Sequence, residues 1–222
     1  MTEITVRGCY STSRPPERAT VHATIGYEGP VMEPVYERVA HDLEKVKQAI
    51  TPMADCDGDV VTGWSADQLR AWSDRPWTPD GSRAPLVCHV SVGLKVEFAD
   101  FSALSQWVSM QVAAAEGFRV STIEWTITAA HRDEIMLEVR NRAVQDAATR
   151  AQHYADALHL GPIRPIAIAD AGMLANAGSP AGPGGVRLRS ASVSGGRPPE
   201  VELIPQDIEV SVDVDARFVA GP

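Results

Sequence analysis

The stretch IEVSVDVDARF, residues 208–218, alternates apolar or small residues with polar ones. Successive side chains of a β-strand point to opposite faces, so this rhythm predicts a strand with one apolar face and one polar face. Like charges on one strand face repel, and the polar face therefore needs basic partners on neighbouring strands. The acidic residues concerned are Asp207, Glu209, Asp213 and Asp215.

Four other stretches share this two-residue rhythm: residues 2–8, 18–27, 86–98 and 118–128. We expect all of them to lie with residues 208–218 in one mainly antiparallel sheet, with an apolar face under helices and a polar face in water. Arg7, Arg18 and Lys95 fall on polar faces of these strands. They are the expected partners of the acidic residues.

Three stretches have helical periodicity. In residues 30–50, apolar side chains recur at steps of three and four. The second helix has Asp100 as its candidate cap and ends at Gly117. The longest helix, from about Asp133 to Leu160, has alanine at several contact positions, so it can pack closely. The sequence therefore predicts the α+β class, a mainly antiparallel sheet with helices packed on one face.

Two segments depart from these patterns within a predicted single domain, residues 1–222. Residues 55–85 are rich in turn formers and predict an irregular hairpin excursion. Residues 171–199 are rich in Gly, Pro and Ser and predict a flexible arm, because they have few large apolar side chains to bury. The candidate interaction residues lie in these segments: Trp64, Trp72 and Trp77 in the hairpin, and Arg187 and Arg189 in the arm.

The bulk properties limit the possible partners. A net charge of −9 disfavours nucleic acid and anionic membranes, which bind basic surfaces. No apolar stretch is long enough to span a bilayer, and the first residues do not resemble a secretion signal. The three cysteines are odd in number. Reduced thiols, and hence a cytoplasmic location, are expected.

No catalytic residue, cofactor site or metal site is predicted. His22 and His89, on polar strand faces, form either half of a metal site or, as we prefer, two solvated side chains. The acidic stretch 55–59 lacks the ligand pattern of a calcium loop. Cys88 is expected in the core, and Cys56 is the one cysteine expected to be reactive. No basic partner is evident for either of them or for Cys9.

The order of these segments resembles the SIMPL-domain family. Three blocks carry the resemblance: residues 4–29, with a Pro-Glu-Arg-Ala step, the Ala-rich helix and strand of residues 140–170, and residues 204–218. Three residues depart from the family pattern: Gln206, His159 and Arg150. At the position of Gln206 the family usually has Gly. The resemblance implies an α+β domain that often self-associates, with links to stress tolerance. It brings no catalytic residues to this sequence, and many similar proteins are periplasmic or envelope-associated.

Our leading hypothesis is a non-enzymatic, self-associating domain that acts through protein contacts, either as a homo-oligomer or with an unidentified protein partner. The alternative is a module that binds a small apolar ligand between the sheet and the Ala-rich helix, where alanines leave space. A hydrolase using Ser65 or Cys56 has no supporting group of residues. Ser65 lacks the second glycine of a nucleophile elbow, and Cys56 has no evident basic partner.

Overall fold

The computed structural model describes residues 1–55, 60–77, 79, 83–174 and 205–221, and the backbone of residues 187–189. These residues form strands β1 (Thr2–Arg14), β2 (Arg18–Gly29), β3 (Val61–Ala66), β4 (Arg70–Asp74), β5 (Val87–Phe98), β6 (Phe118–Thr126), β7 (Arg164–Asp170), β8 (Arg187–Arg189) and β9 (Ile208–Ala220), and helices α1 (Met32–Ala54), α2 (Phe101–Ala114) and α3 (Ala129–Ala157). All strand pairs are antiparallel. The predicted α+β class is confirmed.

The strands of the described residues lie in two sheets, so the expectation of one continuous sheet is wrong. β9 pairs with β1 along its whole length, and β7 and β8 pair with its other edge. Both edges of β9 are therefore occupied, and β2, β5 and β6 form their own sheet with β3 and β4. The chain divides accordingly into two compact units. The organisation of residues 1–222 as a single domain stays a prediction.

Unit one contains β1, β7, β8, β9 and α3. Its sheet explains part of the acidic face of β9, because Arg7 lies opposite Asp215 and its Nε is 2.8 Å from the carboxylate Oδ1. The expected pairing with Arg7 is thus confirmed. Arg18 and Lys95 belong to the other sheet, where they lie opposite Thr126 and His22, so their expected pairing with β9 is wrong.

The helix of unit one packs closely on its sheet, as its alanines predict. One face of α3 is buried through Ala143, Ala147, Ala151 and Ala155. Opposite them, Gly8 of β1 is so near that a Cβ there would meet the carbonyl oxygen of Ala143 and lie 2.6 Å from the backbone nitrogen of Ala147. The alanines therefore bring helix and strand into contact, and at Gly8 they leave no space for a ligand.

Unit two contains the sheet β3-β5-β2-β6, with β4 also on β5, together with α1 and α2. The apolar side chains of β5 alternate into the core, as predicted, and Cys88 is among them at 5% exposed. Trp107 and Trp125 are buried as expected. Asp100 accepts hydrogen bonds from the backbone N–H groups of Ser102 and Ala103, which confirms it as the cap of α2.

The region predicted as a hairpin takes another form in the residues that are described. β3 and β4 do not pair with each other but follow one another along the same edge of β5. Between them, the N–H of Asp67 donates to the carbonyl of Gly93, which holds the connection against β5. Residues 61–74 of the predicted excursion therefore follow the edge of β5 as two successive strands. Residues 56–59, with Cys56, lie outside the described residues.

The arm is described at its start, residues 171–174, and at β8. Residues 175–186 and 190–199 lie outside the described residues. The helices extend close to the predicted bounds, although α1 continues to Ala54 with Pro52 in its last turn. Within the described part of the chain, no helix is both long enough and apolar enough to cross a lipid bilayer.

Candidate functional site

The segment of unit two that begins with β4 is exposed along its length. Every residue from Arg70 to Trp77 is exposed. Trp72 is 48% exposed and Trp77 is 84% exposed. Arg75 anchors the segment by donating to the carbonyl oxygen of Ala84 at 2.7 Å. We call residues 70–77 the edge segment. Two of the tryptophans selected from the sequence lie in it.

Trp72 is held in place by a histidine on the neighbouring strand. Its ring stacks on His89, with centroids 5.2 Å apart and planes 11° from parallel. The Nε2 of His89 lies 3.0 Å from an oxygen of Asp74, and its Nδ1 lies 3.5 Å from an oxygen of Glu28. Both ring nitrogens thus face carboxylates, and the stack gives Trp72 a fixed orientation.

A polar cleft of about 580 Å³ lies beside this stack. Its floor consists of the small residues Thr24, Gly26 and Ser91, which are placed side by side by the pairing of β2 with β5. Trp72 and His89 line one side, and other lining residues include Arg38, Glu116 and Arg119. The volume falls within the range of ordinary small-molecule sites.

Below the cleft, Tyr27 connects β2 with α1 and with the start of β6. Its hydroxyl donates to Asp42 at 2.6 Å and accepts the N–H of Gly117 at 2.9 Å. Burial and the hydrogen bond to Asp42 raise the pKa of Tyr27. Burial also raises the pKa of Asp42, but hydrogen bonds from Tyr27 and Lys45 outweigh it, so this pKa is lowered overall. Asp42 is therefore a buried, charged anchor.

Arg38 of α1 covers this anchor from the cleft side. Its guanidinium lies 4.1 Å from the centre of the Tyr27 ring, within the range of a cation–π contact. It also lies 3.4 Å from a carboxylate oxygen of Glu116. The cleft thus has cationic and anionic groups in similar number, with hydroxyls between them.

The cleft offers hydroxyl and charged groups that could bind a polar molecule. Ser91 and Thr24 offer hydroxyls, but both nitrogens of His89 already face carboxylate oxygens. Of these two contacts, only the one between His89 and Asp74 is a hydrogen bond. Among the residues that the structure describes, no three His, Cys, Asp or Glu side chains are grouped as metal ligands.

The other residues selected from the sequence lie apart from this surface or are described only in part. Trp64 is half-buried in β3, opposite Val96. Arg187 and Arg189 belong to β8, where their backbone lies opposite Ser211 and Glu209 of β9.

The two strand histidines do not meet across the sheet. His22 lies opposite Lys95, whereas His89 lies opposite Glu28 near the far end of the same strand pair. The hypothesis of a shared metal site is therefore wrong.

In unit one, a cysteine has a basic partner that the sequence analysis missed. Arg150 of α3 lies 3.3 Å from the sulfur of the exposed Cys9, and Asp146 accepts the backbone N–H of Cys9 at 2.9 Å. That hydrogen bond and the one from Arg150 lower the pKa of Asp146 against the opposing effect of burial. The expectation that no cysteine has a basic partner is wrong, because this partner comes from an element 141 residues away.

Comparison with known proteins identifies a family but does not indicate an activity. The family model for SIMPL, described as a protein of unknown function (DUF541), matches residues 4–218. The match spans both units and confirms the resemblance seen in the sequence. No curated protein matched the chain.

Proposed function

The chain belongs to the SIMPL family, and we propose that it is a non-enzymatic module that acts through protein contacts and associates with copies of itself. The observation that carries this proposal is the edge segment, in which Trp72 and Trp77 remain exposed beside a strand edge. Burying apolar surface stabilises by about 25 cal/mol per Å². A protein partner on these tryptophans would provide that burial, and tryptophan is enriched at the centres of protein interfaces.

The backbone of the edge segment supports the same proposal. Among the described strands, β4 pairs only with β5, so no described strand occupies its outer edge. Unpaired N–H and C=O groups at a sheet edge are a template for another strand. All five residues of β4 are exposed, and a second chain can therefore reach them.

Light scattering on a size-exclusion peak tests the proposal. We expect the wild type to form an oligomer at micromolar concentration and Trp77→Ala to weaken association at least tenfold. Because Trp77 is 84% exposed, its replacement should leave the fold unchanged. Leu137→Ala is the matched control: Leu137 is 63% exposed on α3, and its loss should not alter association. A wild type that stays monomeric would contradict the proposal.

The proposal includes a cytoplasmic location. Cys9 and Cys88 are both free thiols, and Cys9 is exposed, which suits a reducing compartment. Fractionation of cells that express the native gene tests this point. A role in stress tolerance and an unidentified protein partner stay predictions.

The polar cleft favours a second candidate function, the binding of a small ligand. The apolar site expected beneath the Ala-rich helix finds no room at Gly8, whereas the cleft beside Trp72 is open and lined by charged and hydroxyl groups. A polar ligand fits this lining better than an apolar one. Arg119 also lines the cleft. Among the described residues it has no ion-pair partner, so its charge is available to a ligand.

Native mass spectrometry of the purified protein separates the two functions. A retained small mass would support ligand binding, and its absence would count against it. Gly26→Ala should reduce retention because its methyl projects from the cleft floor, where it would lie 3.5 Å from Ser91 in ordinary contact. The same variant should associate as the wild type does, since Gly26 is not part of the edge segment.

A further inference from the structure

We propose that two copies of this chain pair through β4, antiparallel to each other, about a two-fold axis at Trp72. This inference rests on the proposed self-association and specifies its partner and register. It starts from the sequence of β4, Arg-Ala-Trp-Ser-Asp, which carries a cation at one end and an anion at the other. A strand of this kind is complementary to its own antiparallel copy.

The register follows from the symmetry. With Trp72 opposite its counterpart, Arg70 of each copy lies opposite Asp74 of the other, and Ala71 lies opposite Ser73. Alternate residues of a strand share a face, so both Arg–Asp pairs and the two tryptophans lie on one face. Opposite charges placed directly across an antiparallel pair stabilise it. An interface with two-fold symmetry contains each contact twice.

The charged groups are available for this pairing. Among the described residues, Arg70 has no ion-pair partner, and it is exposed. Asp74 contacts His89 through one oxygen at 3.0 Å, yet its side chain remains 63% exposed. A guanidinium from a second copy can therefore reach the carboxylate without displacing the histidine.

The central residue is already oriented for the contact. Trp72 stacks on His89, which is in turn held between Asp74 and Glu28. A side chain with a fixed rotamer loses little entropy on binding, and pre-organisation of this kind strengthens association. The 48% of Trp72 that stays exposed is the surface that the second copy would cover.

Another edge strand, β7, has a similar charge order, and its backbone argues against it. β7 runs from Arg164 to Asp170 and has Ile166 and Ile168 half-exposed. However, Pro165 has no N–H to donate, and the pairing register of β7 shifts between Pro165 and Ala167. A bulge and a proline both hinder strand addition. β4 has neither, so it is the better edge.

Charge reversal tests the register. Arg70→Asp places acidic residues at both ends of β4, and Asp74→Arg places basic residues at both ends. Each variant alone should associate at least tenfold more weakly than the wild type in sedimentation velocity, because both cross-strand pairs become repulsive. A one-to-one mixture should recover wild-type association, since every Asp then faces an Arg. Native mass spectrometry should find the mixed dimer, which the masses of the variants identify.

The controls separate this inference from the proposed function. Arg164→Asp, on β7, should associate as the wild type does. A wild type that is monomeric would overturn both proposals. A wild type that associates, with variants that associate equally well or a mixture that fails to recover, would overturn the β4 register and leave self-association standing.

A crosslink covers the case in which a charge variant fails to fold. In a Cys9→Ser, Cys56→Ser background, Ala71→Cys mixed with Ser73→Cys should oxidise mainly to the mixed disulfide. The two single variants alone should crosslink at least tenfold less. Equal crosslinking of all three samples would overturn the register.

Discussion

Gly8 of β1 lies against Ala143 of α3 so closely that no side chain fits between them. A Cβ at position 8 would meet the Ala143 carbonyl oxygen, and it would lie 2.7 Å from the Cβ of Ala147. Helix and strand are therefore in backbone contact, and the small residues on both sides make that contact possible. Ala151 and Ala155 of α3, both buried, continue the same face.

Gly8→Ala should destabilise the protein by about 2–3 kcal/mol, because adding a methyl to a packed core forces helix and strand apart. The free energy of urea unfolding, followed by circular dichroism, measures the loss. Gly63→Ala is the control, since a Cβ at that position meets nothing within 4 Å. If Gly8→Ala unfolded at the same urea concentration as Gly63→Ala, the close contact would be refuted.

Asp215→Asn should destabilise the protein at neutral pH and lose its effect in acid. The hydrogen bond from Arg7 lowers the pKa of Asp215, burial opposes this, and the N–H of Gly172 adds to the lowering. A lowered pKa in the folded state gives stability that is present above the unfolded value of about 4 and is lost as pH falls through the folded value. Because Arg7 is half-exposed, we expect a loss of about 1–2 kcal/mol, less than for a fully buried pair.

Urea unfolding between neutral pH and pH of about 3 checks this pH dependence. The stability gap between the wild type and Asp215→Asn should be constant in the neutral range and should narrow in acid. Asp207→Asn, an exposed change just before the same strand, should stay close to the wild type throughout. A gap that does not change with pH would show that the ion pair contributes nothing.

Tyr27→Phe should destabilise unit two by about 2–3 kcal/mol. The change removes the donor of the buried Asp42 and the acceptor of the Gly117 N–H, and each group left without its partner costs about 1–3 kcal/mol. Thermal and urea unfolding measure the effect. Tyr36→Phe, on the exposed face of α1, is the matched control and should cost less than about 0.5 kcal/mol. Equal stability of both variants would argue against the Tyr27 network.

Cys9 should react with thiol reagents at least tenfold faster than Cys88 in the folded protein. Cys9 is exposed and lies beside Arg150, whereas Cys88 is 5% exposed. Ellman's reagent, whose carboxylates are attracted to a guanidinium, measures both rates in a Cys56→Ser background. Arg150→Gln should slow its reaction with Cys9 severalfold and should leave the reaction with neutral iodoacetamide less affected. Equal reactivity of the two cysteines would contradict the assigned burial.

Patterns that depend on one element at a time were predicted well from the sequence. The alternation in β5 and β9, the cap at Asp100 and the alanine face of α3 each follow from the geometry of a single strand or helix. Local rules of periodicity and capping are sufficient for such features. The α+β class and the family followed from their order along the chain.

Features that depend on which strands pair were predicted poorly. The rhythm of β9 is the same whichever sheet it joins, so the sequence could not assign Arg7 to it and exclude Lys95. The cleft was missed for a related reason. Tyr27, Arg38 and Glu116 come from different parts of the chain, and no local motif connects them. Cys9 and Arg150 are similarly distant in sequence.

The position of β4 at the margin of its sheet also bears on how large an assembly can become. A two-fold pairing of β4 occupies the outer edge of this strand in both copies, so that edge can no longer bind a third chain. Growth through β4 alone therefore stops at two. A strand that was joined head to tail would instead leave one end free at every step and would propagate into a fibre.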